Sequence, residues 1–220
     1  MNGSEMMTDV RYILDEPTAA SWTDAELLTY INQAQPLVAS MIRGYNEDFF
    51  VTSTTLATVA NTATIALPTD FIAAKRVEWI NGDTTLKNPE PLYPIPWQDR
   101  GTDWPLYLVN SNSGGRPYYY SFQGTNLLLY PVPNSSTTNA LRLWYEYRLA
   151  DLTTATTSVS EVPIQYHNII THFAALQAMR KMEQNTDAVG KFTDYLVTVM
   201  KSDLRRQKQE PLFIRDTFSD

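Results

Sequence analysis

The sequence predicts an α+β protein, in which an N-terminal helix and a C-terminal helical hairpin form one bundle, an antiparallel β-rich domain is inserted between them, and an extended tail follows. Three observations predict it. Apolar residues recur at helical spacing near both ends of the 220-residue chain. Between residues 49 and 161 the pattern shifts to alternation and to Thr, Val and aromatic side chains, the composition of half-buried strands. Beyond Pro211 the chain keeps Leu212, Phe213, Ile214 and Phe218 in no regular period. The expected domains are therefore a discontinuous helical bundle over 1–48 and 162–208, a β-rich insertion over 49–161, and a tail over 209–220.

The first helix starts near Asp24, because Thr23 and Glu26 spell the capping box in which each side chain satisfies an orphan N–H. Leu27, Ile31, Ala34, Val38, Met41 and Tyr45 follow at spacings of four and three, the seam of a helix packed on other helices. Pro36 interrupts it and removes one backbone donor. After Gly44, "FFVTSTTLATVANTATIALP" reads as two strands around a turn near residue 61. "DFIAAKRVEWINGDTTLKN" places Val77, Trp79 and Leu86 around Asn81-Gly82-Asp83, a hairpin signal because Asn and Gly accept positive φ. The prolines of residues 88–105 preclude a central strand.

Residues 115–133, "GRPYYYSFQGTNLLLYPVP", predict a hairpin about the Gln123-Gly124 turn. "LRLWYEYRL" is a period-2 strand with Leu141, Leu143, Tyr145 and Tyr147 on one face and Arg142, Trp144, Glu146 and Arg148 on the other. The Ser/Thr/Ala-rich run over 149–163 predicts an exposed connection, and Pro163 suits a first helical turn. Ile164, Ile170, Phe173, Ala174, Leu176 and Met179 then mark a helix ending near Asn185. Val189, Phe192, Leu196, Val199, Met200 and Leu204 mark the apolar stripe of a last one.

Composition excludes several functions. Apolar residues are 43% and charged residues 19% of the chain, the balance of a protein with a packed core. With no cysteine, disulfides, thiolate metal sites and a cysteine nucleophile are ruled out. Neither a signal peptide nor an apolar run of about 18 residues predicts export or membrane insertion. Seventeen Lys plus Arg against 24 Asp plus Glu leave a net charge of −7, which argues against non-specific nucleic-acid binding. Positive charge nevertheless gathers at Lys201, Arg205, Arg206 and Lys208.

Candidate chemistry is sparse. His167 and His172 point about 140° apart on a helix, too far for adjacent-turn chelation, so no metal is expected. No phosphate loop, dinucleotide fingerprint or nucleophile elbow occurs. Acid pairs such as Asp24 with Glu26 sit where a helix dipole or solvent explains them. No catalytic residue and no cofactor are predicted, and the protein is not expected to be an enzyme. Tyr118, Tyr119 and Tyr120 could stack on sugars or bases, but strand alternation splits them, and packing or an interface is the plainer reading.

Five segments together resemble the head-to-tail adaptor, or connector, proteins of tailed bacteriophages. They are "WTDAELLTYINQAQ", "ALPTDFIAAKRVEWI", the hairpin of residues 115–133, "LRLWYEYR" and "VPIQYHNIITHFAALQAM"; the resemblance spans roughly residues 8–205 and carries no catalytic signature. It implies a virion protein of the head–tail junction, assembled in the host cytoplasm. It also implies a homo-oligomeric, twelve-fold ring beneath the portal protein, extending the channel through which DNA passes unbound and offering the tail or next neck protein a landing surface.

In such proteins the helical bundle builds the ring, the β insertion projects toward the tail, and the C-terminal extension reaches the portal. The portal-binding candidates so implied are Arg205, Arg206, Lys208, Leu212, Phe213, Ile214, Arg215 and Phe218. Candidates for a tail or subunit interface are Trp97, Trp104, Tyr118, Tyr119 and Tyr120. The alternative is a carbohydrate- or receptor-binding module of a virion that uses the aromatic β-surface.

Overall fold

Asn2 and Glu5 open a helix that the apolar spacing did not predict. In the computed structural model, which describes residues 1–16, 18, 21–96 and 115–207, the Asn2 side chain accepts the Glu5 N–H at 2.9 Å. The Glu5 carboxylate accepts the Asn2 N–H at 3.0 Å. This capping box starts α1 (Gly3–Ile13), which buries Met6, Met7 and Val10. Thr23 and Glu26 exchange the expected pair of bonds at 3.2 and 3.1 Å and start α2 (Asp24–Arg43). Leu27, Ile31, Ala34 and Val38 are buried as the seam required, and the helix runs on past Pro36.

After a 3-10 turn over Ile164–Tyr166 come α3 (His167–Lys181) and α4 (Asp187–Gln207). The broad apolar face predicted for α3 is buried only in part: Ile170, Ala174 and Leu176 are buried, whereas Phe173 and Met179 are half-buried. Because α3 packs against α1, α2 and α4 at once, it buries residues around much of its circumference, many of them small: Ile169, Ile170, Ala174, Ala175, Leu176 and Ala178. Ile164 is exposed on the 3-10 turn instead, and the helix stops at Lys181, short of Asn185.

The stripe predicted for α4 also splits. Met200 and Leu204 are buried, whereas Phe192 and Val199 face solvent. Residues 149–162 are the largely exposed connection their composition predicted, but it is anchored at four positions. Leu149, Leu152, Ser160 and Val162 are buried, and a Cβ on Gly3 would stand 2.5 Å from the Thr153 carbonyl oxygen, so only glycine fits there without displacing backbone.

The chain divides into two compact units, one made of Met1–Phe49 with the chain from Leu149 onward, the other of Phe50–Arg148. The second unit holds two four-stranded sheets. In one the order is β1 (Val51–Thr58), β8 (Thr137–Tyr147), β3 (Phe71–Trp79), β4 (Glu90–Pro91). In the other it is β2 (Thr64–Ala66), β7 (Asn126–Tyr130), β6 (Tyr119–Gln123), β5 (Tyr93–Pro94). All pairings are antiparallel except β5 with β6.

Val77, Leu141, Leu143 and Tyr145 of the first sheet and Tyr120, Leu127 and Leu129 of the second share one core. The predicted alternation of β8 is observed. Gln123 pairs with Asn126 across Gly124, whose φ of 57° glycine adopts without strain, so the predicted hairpin forms. Asn81 and Gly82 also turn at positive φ, but the chain does not return at Leu86. The N–H groups of Ile80 and Asn81 bond to Ala140 O at 2.9 and 3.0 Å, which anchors the turn to β8. Strand β3 therefore lies between β8 and the two-residue β4. Pro91 and Pro94 sit in β4 and β5, the outer edges, where a missing donor costs least.

Among the described residues the fold is thus α+β, with four α-helices and two mainly antiparallel sheets. The predicted tail lies outside the described residues.

Candidate docking surfaces

Thr198, Lys201, Ser202, Arg205 and Arg206 repeat at helical spacing, which places them on the exposed side of the last two turns of α4. Together they form one exposed, basic and hydroxyl-bearing face. Three cations and two hydroxyls in an acidic chain make a surface suited to acceptor oxygens, and two arginines can offer paired donors. The Arg205 guanidinium lies 5.9 Å from the centre of the Tyr45 ring, which aims it. Of the predicted portal-binding residues, Arg205 and Arg206 are therefore side by side; Lys208, Leu212, Phe213, Ile214, Arg215 and Phe218 lie outside the described residues. Lys201, Ser202 and Thr198 join them, and the spacing 198, 201, 202, 205 was the available signal for the hydroxyls.

The three tyrosines separate. Tyr120 is 6% exposed and packs in the sheet core, where burial raises its phenol pKa, while Tyr118 is 50% exposed just before β6. Tyr119 is half-buried at the strand start, and its ring meets Tyr93 at 6.3 Å between centroids. Sequence reasoning missed Tyr93. It pairs with Tyr119 because β5 runs parallel to β6, a pairing that two residues among prolines do not announce. Arg116 sits 5.2 Å from the Tyr118 ring centre and pairs with Glu90. Tyr93, Tyr118 and Tyr119 make an aromatic edge; Trp97 and Trp104 lie outside the described residues.

Several titratable groups elsewhere are engaged in structure. His167 is buried, its Nε2 donates to Val162 O at 2.7 Å, and its Nδ1 lies 3.0 Å from the Met1 amine; desolvation lowers its pKa. His172 bonds to Asn168 O of its own helix at 2.7 Å and lies against Phe192. On the outer face of the first sheet, buried Glu78 receives Arg76 at 2.7 Å and the Trp144 Nε1–H at 3.2 Å. No group of three or more His, Asp or Glu among the described residues could hold a metal ion.

The SU10 adaptor protein family matches the chain over residues 1–212. The chain belongs to that family. It is a structural adaptor protein of bacteriophage, the class that the five segments resembled, and so a protein of the virion. A search of curated proteins finds no match to the adaptor. Among its described residues no helix is long and apolar enough to cross a membrane.

Proposed function

We propose that this adaptor docks beneath the portal protein, assembles there as a twelve-fold ring that continues the DNA channel, and gives the tail or next neck protein its attachment surface. The helical part, residues 1–48 and 162–208, builds the ring; the β-rich part, 49–161, faces the tail; residues 209–220 reach the portal. The observation that carries this reading is the exposed basic face of Lys201, Ser202, Arg205 and Arg206 at the end of α4, immediately before the tail. It concentrates arginine and lysine where the apolar Leu212, Phe213, Ile214 and Phe218 follow in sequence, with Lys208 before them and Arg215 among them. Apolar residues supply burial on docking and arginines supply directed bonds to a partner's carboxylates and carbonyls. Elsewhere the subunit is acidic, which lets DNA slide through without being held.

Co-sedimentation with the cognate portal tests the docking. Removing residues 209–220, or replacing Arg205 and Arg206 by alanine, is expected to weaken binding at least tenfold. Unchanged binding in both variants rejects docking through this end.

The aromatic edge of Tyr93, Tyr118 and Tyr119 favours a second role, as the tail-facing contact, with Trp97 and Trp104 the remaining candidates; Tyr120, buried in the sheet core, is no longer one. Its competing use is carbohydrate or receptor binding. A glycan array distinguishes them, since a sugar platform binds glycans without any tail protein present.

A further inference from the structure

Two of the eight glycines follow an asparagine, in Asn2-Gly3 and Asn81-Gly82. Such a pair is reactive in any chain. Glycine has no Cβ to shield its backbone nitrogen, so that nitrogen can attack the carbon of the preceding side-chain amide. The structure treats the two pairs differently. Asn2 is 8% exposed, and its Oδ1 is occupied as the acceptor of the Glu5 N–H at 2.9 Å. Asn81 is exposed on the turn that follows β3.

Main-chain bonds hold that turn. The Asn81 N–H donates to Ala140 O and the Gly82 N–H to Asn139 O, both at 3.0 Å, and the Asp83 N–H returns to Ile80 O at 2.9 Å. With φ of 50° and 85° at Asn81 and Gly82, the turn is of the primed kind that Asn-Gly favours. Asn139 has a tether of its own, because its Oδ1 accepts the Thr55 hydroxyl of β1 at 2.7 Å. The one nitrogen placed to attack the Asn81 side chain is thus a donor that ties the turn to β8.

We infer that Asn81 is a spontaneous deamidation site that the fold keeps closed through the bond from the Gly82 N–H to Asn139 O. Reaction begins when the turn lifts from β8, a local opening. The Gly82 nitrogen then gives its proton to solvent and attacks Asn81 Cγ. The new N–C bond closes a succinimide ring, the Cγ–Nδ2 bond breaks, and the amide nitrogen leaves as ammonia with a proton taken from water. Water next opens the ring at either carbonyl and leaves aspartate or isoaspartate. It is the only co-reactant. The product carries a new negative charge two residues before Asp83 and, as isoaspartate, one more methylene in the main chain, which spoils the spacing of the bonds to β8.

Trypsin releases residues 77–87, in which Asn81 is the one asparagine, so mass spectrometry of that peptide reads the conversion directly. Full-length protein is aged in mildly alkaline buffer, folded and in denaturing urea. Conversion in the folded protein is expected to be at least tenfold slower than in urea. Thr55→Val cuts the tether on Asn139 and leaves Asn81 and Gly82 in place; Asn139→Gly cuts it from the other side and keeps the positive φ of 54°. Each is expected to speed folded-state conversion at least threefold, in step with faster hydrogen exchange at the Gly82 N–H and with circular dichroism unchanged. Equal rates in the folded and the unfolded protein overturn the inference. So does a conversion rate that fails to follow Gly82 exchange across the parent and the two variants.

Discussion

Asn32 of α2 exchanges two hydrogen bonds with the backbone of Leu152, its Nδ2 donating to Leu152 O at 3.0 Å and its Oδ1 accepting the Leu152 N–H at 2.7 Å. One helical turn on, Gln35 donates to Ala150 O at 2.9 Å and accepts from Ser160 Oγ at 2.7 Å. Two amide side chains thus satisfy a partly buried, irregular stretch of backbone as a neighbouring strand would. Asn32→Ala strands both Leu152 backbone groups and is expected to cost about 2 kcal/mol in urea unfolding. Asn32→Asp, which keeps the acceptor alone, should fall between it and the parent.

Tyr145 reports on the sheet core. Its hydroxyl donates to both Asp70 oxygens, at 3.1 and 3.2 Å, and burial together with that carboxylate pushes its pKa up to about 12 from 10.0. A folded-state pKa above the unfolded one stabilises below pH 10.0 and loses that stabilisation as pH rises toward about 12. Alkaline melting should therefore steepen in that window. Tyr145→Phe should flatten it and cost about 1 kcal/mol at neutral pH, read by thermal denaturation across the pH series.

Glu26 responds at the other end of the scale. The Lys181 ammonium and the Thr23 capping bonds hold its carboxyl at about 2 against the ordinary 4.5. The stabilisation is complete above pH 4.5 and is lost as pH falls toward about 2. Carboxyl NMR titration of the Lys181→Met variant should show the Glu26 midpoint moving up; an unmoved midpoint would mean that the capping box alone depresses it.

Tyr118 and Tyr120 should part company on truncation. Tyr120→Ala empties a core position and is expected to cost about 3–5 kcal/mol, whereas Tyr118→Ala, at an exposed site, should stay within about 0.5 kcal/mol. Chemical denaturation of the two variants checks the difference. On the tail-facing reading, Tyr118→Ala lowers tail attachment with stability intact.

Much of the fold was legible in the sequence because local chemistry and tertiary demand agreed. The Thr23/Glu26 capping box, the alternation of β8 and the Gly124 turn each needed only their own residues. Misreadings arose where partners distant in sequence decide the outcome. Residues 149–162 are mostly solvated as their composition suggests, but their anchoring at Ala150, Leu152 and Ser160 depends on Asn32 and Gln35, more than a hundred residues away. The neighbours α1, α2 and α4 surround α3, so its burial spreads beyond one face. The Asn2/Glu5 box of α1 obeys the same rule as that of α2, but the helix it opens is only 11 residues long and shows too short an apolar period to stand out. As for the docking surfaces, the basic run near the C-terminus was plain in the sequence, but the meeting of Tyr93 with Tyr119 depends on a parallel edge pairing that local pattern cannot encode.

Negative-stain imaging of the cognate portal, alone and mixed with this adaptor, tests the central claim most directly. The account predicts an added layer of protein on one face of the portal ring, with twelve-fold symmetry in end view and an open axial channel. Portal rings unchanged at a saturating excess of well-folded adaptor would contradict it.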